Sequence, residues 1–453
     1  MHGGHKEKTT ESWQCEVYIQ QMTKFTTFHI LVLLVASFVV AAEGLPVAKV
    51  DSSTLEGRVM TGYQTWFRCP GDASDVGWYH WSRDSSELRP DTLTFELWPD
   101  VSYYPKSDLF AAPNFTHPDG SQAYLYSSDN PVIVRQHFEL LRDYGIDGVW
   151  LQRFVVSLPG FREPANDLAL KRIASHRRII DYIRSSATET GRVWAISYDV
   201  AGAPTDRIYD VLVENWKQMV DTGIVADDRY MKHEGKPVVQ IWGFYGNNDH
   251  NKMTAELANQ LIDFFEQPGK YQATLVGGGS WDWRHNPDPE WQTYYKRFKV
   301  FCIWNIGHTA FMPKTQIRVA ATHYWEADRE AAKQNGTMWI PTVYPGFSWD
   351  NLKKRNPGET LICRRKGEFL WEQFVKLAEM NQTSVYVSML DEFDEGTAIL
   401  PISNAPPTQA HFVGGDGVRP DLYLKIVGEG AKMIRGEIPF SKTIPFPVDG
   451  EKP

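Results

Sequence analysis

Four acidic residues lie within five positions near the end of the chain, directly after an apolar run. The run 384–390 reads SVYVSML, and the segment 391–397 that follows it reads DEFDEGT. Burial and mutual repulsion can move the pKa values of neighbouring carboxyl groups apart, so that one serves as an acid and another as a base. If the chain turns helically after Leu390, the Cβ atoms of Glu392 and Glu395 lie about 5 to 6 Å apart on one face. Retaining glycosidases hold their two carboxyl groups at a similar spacing of about 5 to 5.5 Å.

The residues alone leave other interpretations of this acidic segment open. An acidic cluster after a strand is also typical of a solvated loop or of a helix N-terminus. The carboxylates of Asp391, Glu392, Asp394 and Glu395 would also suit Ca²⁺ or Mg²⁺ in a cation-dependent enzyme. The sequence has no CxxC, HExxH or GxSxG motif. We therefore predict no metal ion and no cofactor, and no protease or esterase site.

Eight predicted strands set the position of this segment in the fold. Apolar, β-rich runs alternate with segments of helical period along most of the chain. The predicted strands are 58–64, 148–154, 193–199, 238–244, 274–278, 300–305, 338–344 and 384–390. Eight βα units in sequence predict an α/β fold, a single (β/α)8 TIM barrel, with its active site at the C-terminal ends of the strands. A doubly wound sheet is the alternative, but no glycine-rich phosphate loop follows the first strand.

The segments between the strands complete the predicted barrel. A helix that begins at Asn130-Pro131 precedes the second strand, because Asn is a preferred N-cap and Pro a preferred first helical residue. The later predicted helices are 168–184, 207–220, 254–265, 290–298, 317–333, 367–380 and 421–434. A long aromatic insertion, 69–129, follows the first strand, and we expect it to cap or wall the site.

Aromatic and polar residues at the ends of the predicted strands should face one cleft. They are Tyr63, Gln64, Trp66, Gln152, Arg153, Tyr198, Asp199, Trp242, Tyr245, Trp281, Asp282, Trp283, Trp304, Asn305, His308, Tyr344 and Trp349, with Asp391 after the last strand. Flat aromatic rings cover the C–H faces of a sugar, while carboxylates, amides and Arg bind its hydroxyl groups. The seventeen Trp residues of the chain therefore favour a carbohydrate site. A single loop Trp is more often a packing residue than a ligand contact.

The N-terminal region predicts export. Residues 30–42 form an apolar run that is short for a membrane span and typical of the core of a signal peptide. Met22 is favoured as the true start, and an uncleaved signal anchor is the alternative. The predicted protein is secreted or periplasmic, with no stable membrane insertion after cleavage. The predicted organisation is a signal peptide over 1–42, a linker over 43–56, a catalytic domain over 57–436 and a C-terminal tail over 437–453.

Charge and cysteine content exclude several classes of function. The net charge of −9 and the pI of about 5.8 argue against nucleic-acid binding, which requires clustered Lys and Arg. Cleavage of the signal peptide would leave Cys69, Cys302 and Cys363, with no CxxC spacing. Neither a disulfide framework nor a zinc site is therefore predicted.

Three segments together resemble glycoside hydrolase family 99 and its family 71-like relatives. They are 60–67, MTGYQTWF; 340–349, IPTVYPGFSW; and 391–397, DEFDEGT. The resemblance implies a TIM barrel that cleaves α-mannosides internally and with retention of configuration. It also implies that Glu392 is the base that helps the sugar 2-hydroxyl attack the anomeric carbon, and that Glu395 is the acid/base.

The acidic segment departs from the family pattern at three positions, and a fourth departure lies just beyond it. Asp391 replaces Asn, Phe393 replaces Trp, Asp394 replaces His, and Leu400 stands where the family has Glu. The added negative charge should raise at least one pKa beside Glu392 and Glu395. We therefore expect an exported retaining glycoside hydrolase acting on an α-linked oligo- or polysaccharide, with sugar identity open. The alternatives are a non-catalytic carbohydrate-binding barrel, a family 71-like α-glucanase, and a xylosidase or arabinosidase.

Overall fold

The computed structural model describes residues 49–162, 164–246, 251–313, 315–414 and 417–449. The predicted signal peptide, the start at Met22 and most of the linker lie outside these residues. Among the helices that the structure describes, none combines the length and the apolar character needed to cross a bilayer.

The described residues form fourteen strands and nine α-helices. The strands are β1 (Val59–Tyr63), β2 (Leu109–Thr116), β3 (Gln122–Tyr126), β4 (Gly148–Phe154), β5 (Val193–Asp199), β6 (Lys232–His233), β7 (Lys236–Trp242), β8 (Thr274–Ser280), β9 (Val300–Trp304), β10 (Thr309–Phe311), β11 (Arg318–Ala320), β12 (Met338–Ile340), β13 (Thr342–Val343) and β14 (Val385–Val387). The helices are α1 (Pro131–Asp143), α2 (Asp167–Thr190), α3 (Thr205–Asp221), α4 (Ala255–Glu266), α5 (Pro289–Tyr295), α6 (Trp325–Gln334), α7 (Asp350–Lys353), α8 (Glu368–Glu379) and α9 (Leu422–Ile434).

A closed parallel sheet forms the centre of the molecule. Parallel pairing runs from β1 through β4, β5, β7, β8 and β9 to β12, and from β13 through β14 back to β1. β12 and β13 are two halves of one barrel strand, separated by Pro341. Pro has no N–H to donate to a ladder, but its carbonyl still accepts the Tyr386 N–H at 2.9 Å. The predicted (β/α)8 TIM barrel is confirmed.

All eight predicted strands are present, and two of them, 148–154 and 193–199, have the predicted boundaries at both ends. The fourth barrel strand begins at Lys236, and the eighth ends at Val387 rather than at 390. Its ladder stops there because the chain turns away, although the Leu390 N–H still donates to the Gly62 carbonyl at 2.7 Å. The peptide bond between Ser388 and Met389 is cis.

The helix predicted over 317–333 is wrong in its first half. Arg318–Ala320 pairs antiparallel with Thr309–Phe311 in a hairpin, and the helix begins only at Trp325. The apolar pattern of this region is too short to distinguish a strand from a helix. The hydrogen bonds to Thr309–Phe311 hold the segment as a strand.

The long insertion packs behind the acidic segment rather than over the cleft. It contains the β2–β3 hairpin and an aromatic cluster in which Trp81 stacks on Phe67 with ring centroids 3.9 Å apart. Phe393 packs edge-on against Phe67, and its carbonyl accepts the Glu96 N–H at 2.9 Å. The insertion therefore supports the segment 391–397 from outside the barrel.

Candidate active site

A cavity of about 440 Å³ opens at the C-terminal ends of the barrel strands. This is the edge of a TIM barrel where active sites are built, and the volume suits a small-molecule or sugar site. Its lining residues are Gln64, Trp66, Gln152, Phe154, Asp199, Trp242, Tyr245, Ser280, Trp281, Trp304, Ile306, Glu392 and Glu395.

The turn expected after Leu390 is present and brings both glutamates to this cavity. The Glu392 carbonyl accepts the N–H groups of Thr397 and Ala398 at 3.2 and 3.1 Å, which closes the loop. Gly396 has φ +66°, a left-handed conformation that Gly adopts without a steric cost. Glu392 and Glu395 therefore lie on the same side of the loop and both line the cavity.

The Glu392 carboxylate is held by two hydrogen bonds. Gln64 Nε2 donates to Oε1 at 2.7 Å, and Thr397 Oγ1 donates to Oε2 at 2.6 Å. Burial, and then the nearby Asp394 carboxyl, raise the pKa of Glu392 to about 7, while the two hydrogen bonds oppose this shift. Glu392 is therefore fixed in position and titrates near neutrality.

The Glu395 carboxyl has a different environment. It is half-buried, and within the described part of the chain no side chain or backbone group donates a hydrogen bond to it. Burial, followed by the charges of Glu392 and Asp394, raises the pKa of Glu395 well above its usual range. No interaction of comparable strength stabilises the charged form of Glu395, so Glu395 stays protonated when Glu392 is ionised.

Two aspartates of the same segment, Asp391 and Asp394, contact residues outside it. Both carboxylate oxygens of Asp391 accept backbone N–H groups, one from Gln64 and one from Thr65, each at 2.8 Å. Asp394 lies 3.3 Å from His80 Nδ1. Burial raises the pKa of Asp391 to about 7 and that of Asp394 to about 8. Asp391 thus fastens the acidic segment to the end of β1.

The half-buried His80 and the buried Asp394 form a pair in which both groups are neutral over a wide pH range. Burial, with the charges of Arg68 and Arg172, lowers the pKa of His80 to about 3. The same ring stacks on Trp66 with centroids 4.0 Å apart and planes 6° apart. His80, from the long insertion, therefore connects the acidic segment to an aromatic wall of the cavity.

Four tryptophans form the aromatic walls. Trp281 stacks on His308 with centroids 3.6 Å apart, and Trp242 packs edge-on against Trp304 at 5.0 Å. Gly278 makes room for this pair, since a Cβ there would lie 2.4 Å from the Trp242 ring. The rings are thus positioned by neighbours outside the cavity as well as by each other.

The structure brings half of the predicted site residues together in the cavity. Those that line the cavity are Gln64, Trp66, Gln152, Asp199, Trp242, Tyr245, Trp281, Trp304, Glu392 and Glu395. Asp199 adds a third carboxyl group, whose pKa burial raises to about 6.

The predicted placement of three residues in the cleft is wrong, because they face the helices around the barrel. The Tyr63 hydroxyl lies 2.7 Å from His137 Nδ1 on α1, and Arg153 and Tyr198 both donate to Asn215 Oδ1 on α3 at 2.8 Å. Each of them is adjacent in sequence to a residue that does line the cavity. Successive side chains of a strand point to opposite faces, so only one member of each pair can reach the cleft.

Seven other predicted residues do not line the cavity, and of these Asp282 is exposed while Trp283 and Asn305 are buried. His308 supports Trp281, and Tyr344 is buried with its hydroxyl donating to the His308 carbonyl at 3.2 Å. Trp349 packs against Phe347, outside the cavity, and Asp391 is buried at the start of the acidic segment. His308, Tyr344 and Asp391 are placed to support the site rather than to line it.

Three lining residues were missed by the sequence analysis, and strand alternation could have found two of them. Phe154 follows Gln152 by two positions and Ile306 follows Trp304 by two, so each shares a face with a predicted residue. Ser280, the last residue of β8, is the third. Thr397, which holds Glu392, lies within the acidic segment, but no local pattern indicates its contact.

No arrangement of three or more carboxylate, imidazole or thiolate groups suited to a metal ion occurs among the described residues. The oxygens of Asp391 are already used by backbone N–H groups. The arrangement is instead that of two carboxyl groups with different protonation, at one edge of an aromatic cavity.

The fold resembles that of solved carbohydrate-active enzymes. Two structures of the glycoside hydrolase family 99 endo-α-mannosidase from Bacteroides thetaiotaomicron, one of them in complex with BIS-TRIS propane, match with a TM-score of 0.59 at 16% sequence identity. The match covers 84% of this chain and 99% of the mannosidase chain. A structure described as a glycoside hydrolase-like protein matches with a TM-score of 0.48 at 13% identity, over 85% of this chain and 97% of its own.

No protein-family model and no curated protein sequence matches the chain. At 16% identity the structural likeness shows a shared barrel fold. At the level of the fold, the resemblance to family 99 expected from the sequence motifs is confirmed.

Proposed function

We propose that this protein is a retaining glycoside hydrolase acting on an α-linked glycan. The observation that carries the proposal is the placement of Glu392 and Glu395 in one cavity with four tryptophans. Burial and the Asp394 carboxyl raise the pKa of Glu392. Burial and the charges of Glu392 and Asp394 raise the pKa of Glu395. Two carboxyl groups with different protonation at a sugar-binding cleft are the basic machinery of glycoside hydrolysis.

The hydrogen bonds support a different role for each glutamate. Glu392 accepts two hydrogen bonds, which favour its ionised form, so it serves as the base. Glu395 accepts none from the described residues and lies beside that charge, so it retains its proton and protonates the departing oxygen. After bond cleavage the ionised Glu395 activates the incoming water. These roles agree with those that the family resemblance implies.

The first step has two forms consistent with this arrangement. Glu392 either takes the proton of the sugar 2-hydroxyl, which then attacks the anomeric carbon, or attacks that carbon itself as in ordinary retaining enzymes. The family resemblance favours the first form. The likeness to a family 99 endo-α-mannosidase supports an α-mannoside as the first substrate to test, with α-glucans next.

The proposed setting is outside the cytoplasm. The apolar run 30–42 and the small residues at its end support a signal peptide and a secreted or periplasmic enzyme. Expression of the full chain, followed by N-terminal sequencing of the mature protein, tests this proposal. A mature protein that retains residue 30 would contradict cleavage.

A non-catalytic carbohydrate-binding barrel is the second candidate, favoured by the aromatic walls alone. Such a protein needs no pair of carboxyl groups with raised pKa values, and burying them costs stability. Hydrolysis of any glycan by the wild type, lost in a carboxyl variant that still binds it, separates the two candidates.

The decisive experiment is a glycan-library digest by the wild type and by Glu395→Gln, with the product anomers followed by NMR. We expect α-configured products from the wild type. Glu395→Gln should lose about 10²- to 10⁴-fold in kcat on poor leaving groups, the usual contribution of a general acid. Its affinity for the glycan should change little, because Gln keeps the size of the side chain.

The matched control is Glu379→Gln, which changes the same residue type at the end of α8, away from the cavity. Its turnover should equal that of the wild type. Wild-type turnover in Glu395→Gln, or β-configured first products from an α-linked substrate, would contradict the proposed mechanism.

A further inference from the structure

A second cavity, of about 330 Å³, lies on the outer side of the barrel. It sits between helices α2 and α3, against the outward face of β4, and shares no lining residue with the active-site cavity. The polar residues that line it include Arg153, His176, Arg177, Asn215 and Gln218. The proposed glycoside hydrolase activity uses none of them.

Arg153 places a positive charge at the base of this cavity. Its residue is 7% exposed, and its Nη1 donates to Asn215 Oδ1 at 2.8 Å. No carboxylate lies within ion-pair distance of it in the described part of the chain. A buried cation without a counter-charge is costly, so buried guanidinium groups normally bind an anion.

Asn215 supplies an unused hydrogen-bond donor beside this guanidinium. Its Oδ1 accepts from Arg153 and from the Tyr198 hydroxyl, each at 2.8 Å, which fixes the orientation of the amide. Asn215 Nδ2 then has no partner among the described residues, although the residue is only 3% exposed. Buried polar groups without a partner are rare in proteins and require an explanation.

The surroundings of the cavity are positively charged in an otherwise acidic protein. Arg177 lines it and forms no ion pair with the described residues. Burial, followed by the charges of Arg68 and Arg153, lowers the pKa of His176 to about 3, as expected near cations. The one carboxylate among the lining residues, that of Asp181, has a side chain that is 70% exposed.

We propose that this cavity is a binding site for a small organic oxyanion, a compound that carries a phosphate, sulfate or carboxylate group. Three groups offer only hydrogen-bond donors: Arg153, Arg177 and Asn215 Nδ2. They complement a negatively charged group that only accepts hydrogen bonds. The volume exceeds what a single ion needs and falls in the range of small-molecule sites.

The occupant is a free solute rather than a group on the glycan. Gln152 lines the active-site cavity, while its neighbour Arg153 lines this one from the opposite face of β4. The barrel sheet therefore separates the two sites. A ligand here leaves the glycan cleft open.

Calorimetric titration of the full-length protein with phosphate, sulfate and citrate, at constant ionic strength maintained with chloride, tests the proposal. We expect saturable binding of at least one of these probes and a rise in Tm in its presence. Arg177→Ala, an exposed position that the fold tolerates, should weaken binding about tenfold, as expected for loss of one charge-assisted hydrogen bond. Arg153→Met should abolish binding.

The matched control is Arg135→Ala, another exposed arginine in a helix, whose side chain is 52% exposed. It should bind the probe as the wild type does. Three results would overturn the proposal: no probe binds more tightly than chloride, Arg177→Ala binds as the wild type does, or Arg135→Ala weakens binding equally. The readout is binding alone, so failure of the proposed hydrolase activity leaves it standing.

Discussion

Glu392 and Glu395 differ in what surrounds their carboxyl oxygens, and Glu392 is buried while Glu395 is half-buried. Gln64 and Thr397 donate to Glu392, and no described residue donates to Glu395. A hydrogen bond to a carboxylate lowers its pKa, because it stabilises the charged form. The two chemically identical side chains thus acquire opposite roles from their neighbours.

The pH dependence of kcat/KM should report this difference. Glu392 must be ionised to act as a base, so activity should rise as the pH increases through about 7. Glu395 must be protonated to act as an acid, so activity should fall at a higher pH, above its raised pKa. A pH profile with its acidic limb near 4 would contradict this assignment.

Thr397→Val tests the hydrogen bond that holds Glu392. Val matches the shape of Thr but cannot donate to Oε2, so the pKa of Glu392 should rise. The acidic limb of the pH profile should move upward by about one pH unit, the equivalent of one hydrogen bond to a charged group. The measurement is kcat/KM against pH on the best substrate of the glycan digest.

Thr61→Val is the matched control for that shift. Thr61 is also fully buried, but its hydroxyl donates to the Val387 carbonyl rather than to a carboxylate. Its pH profile should coincide with that of the wild type. Equal shifts in both variants would show that the effect is not due to the Glu392 contact.

At the scale of the elements, the strands decide which side chains reach the glycan cleft. β1, β4 and β5 each end in a pair of neighbouring residues, one of which lines the cavity while the other contacts α1 or α3. The wall is then completed by Trp242 and Trp304 at the ends of β7 and β9, and by Tyr245 and Trp281 in the loops after β7 and β8. Their stacking partners, such as His308 behind Trp281, keep these rings in place.

Trp281→Ala tests the aromatic wall. The variant removes a ring that lines the cavity, so KM should rise about tenfold while kcat changes less, the pattern of lost ground-state binding. The control is Trp349→Ala, which removes a partly buried Trp outside the cavity. Steady-state kinetics should leave Trp349→Ala within about twofold of the wild type, since such a change removes no ligand contact. A larger KM effect for Trp349→Ala would contradict the assigned walls.

The sequence predicted the eight strands well because most are continuous apolar runs covered on both faces. It also predicted the site residues that follow directly from strand ends. Applied strictly, the alternation of strand faces would have removed Tyr63, Arg153 and Tyr198 from the cleft and added Phe154. The contact between His80 and Asp394 joins residues 314 positions apart. No local pattern reports such a contact, so only the packed insertion reveals it.

At the scale of the whole molecule, the carboxyl groups of the site lower the free energy of unfolding when they ionise. Asp391, Glu392, Asp394 and Glu395 are all in surroundings that favour their neutral forms. The folded protein therefore binds more protons than the unfolded chain between the usual carboxyl pKa, about 4, and about 8. The contribution of these carboxyl groups to the free energy of unfolding is fully present below that pH window, and it is lost as the pH rises through the window.

Asp394→Asn tests this linkage. The pKa of Asp394 is raised to about 8 by burial, so the wild type is destabilised only where this group ionises. Asn cannot ionise and can still donate to His80. At a pH of about 9 the variant should be more stable by about 1 to 3 kcal/mol, and at a pH of about 5 nearly unchanged. Urea unfolding at both pH values measures the difference.

Asp228→Asn, at an exposed position, is the control and should show no such dependence on pH. A variant at Asp394 that is equally stabilised at both pH values would indicate a packing effect and contradict the ionisation of Asp394 as the cause.

Both reactive carboxyl groups belong to one loop of seven residues, fastened at its start by Asp391 and at its end by the hydrogen bonds to Glu392. Their separation is therefore set by covalent connectivity and not by the distance between opposite walls of the barrel. For protein engineering, the loop depends on its contacts with the end of β1 and with His80. Substrate choice is therefore better redesigned at Trp242, Trp281 and Trp304 than at Trp66, which stacks on His80.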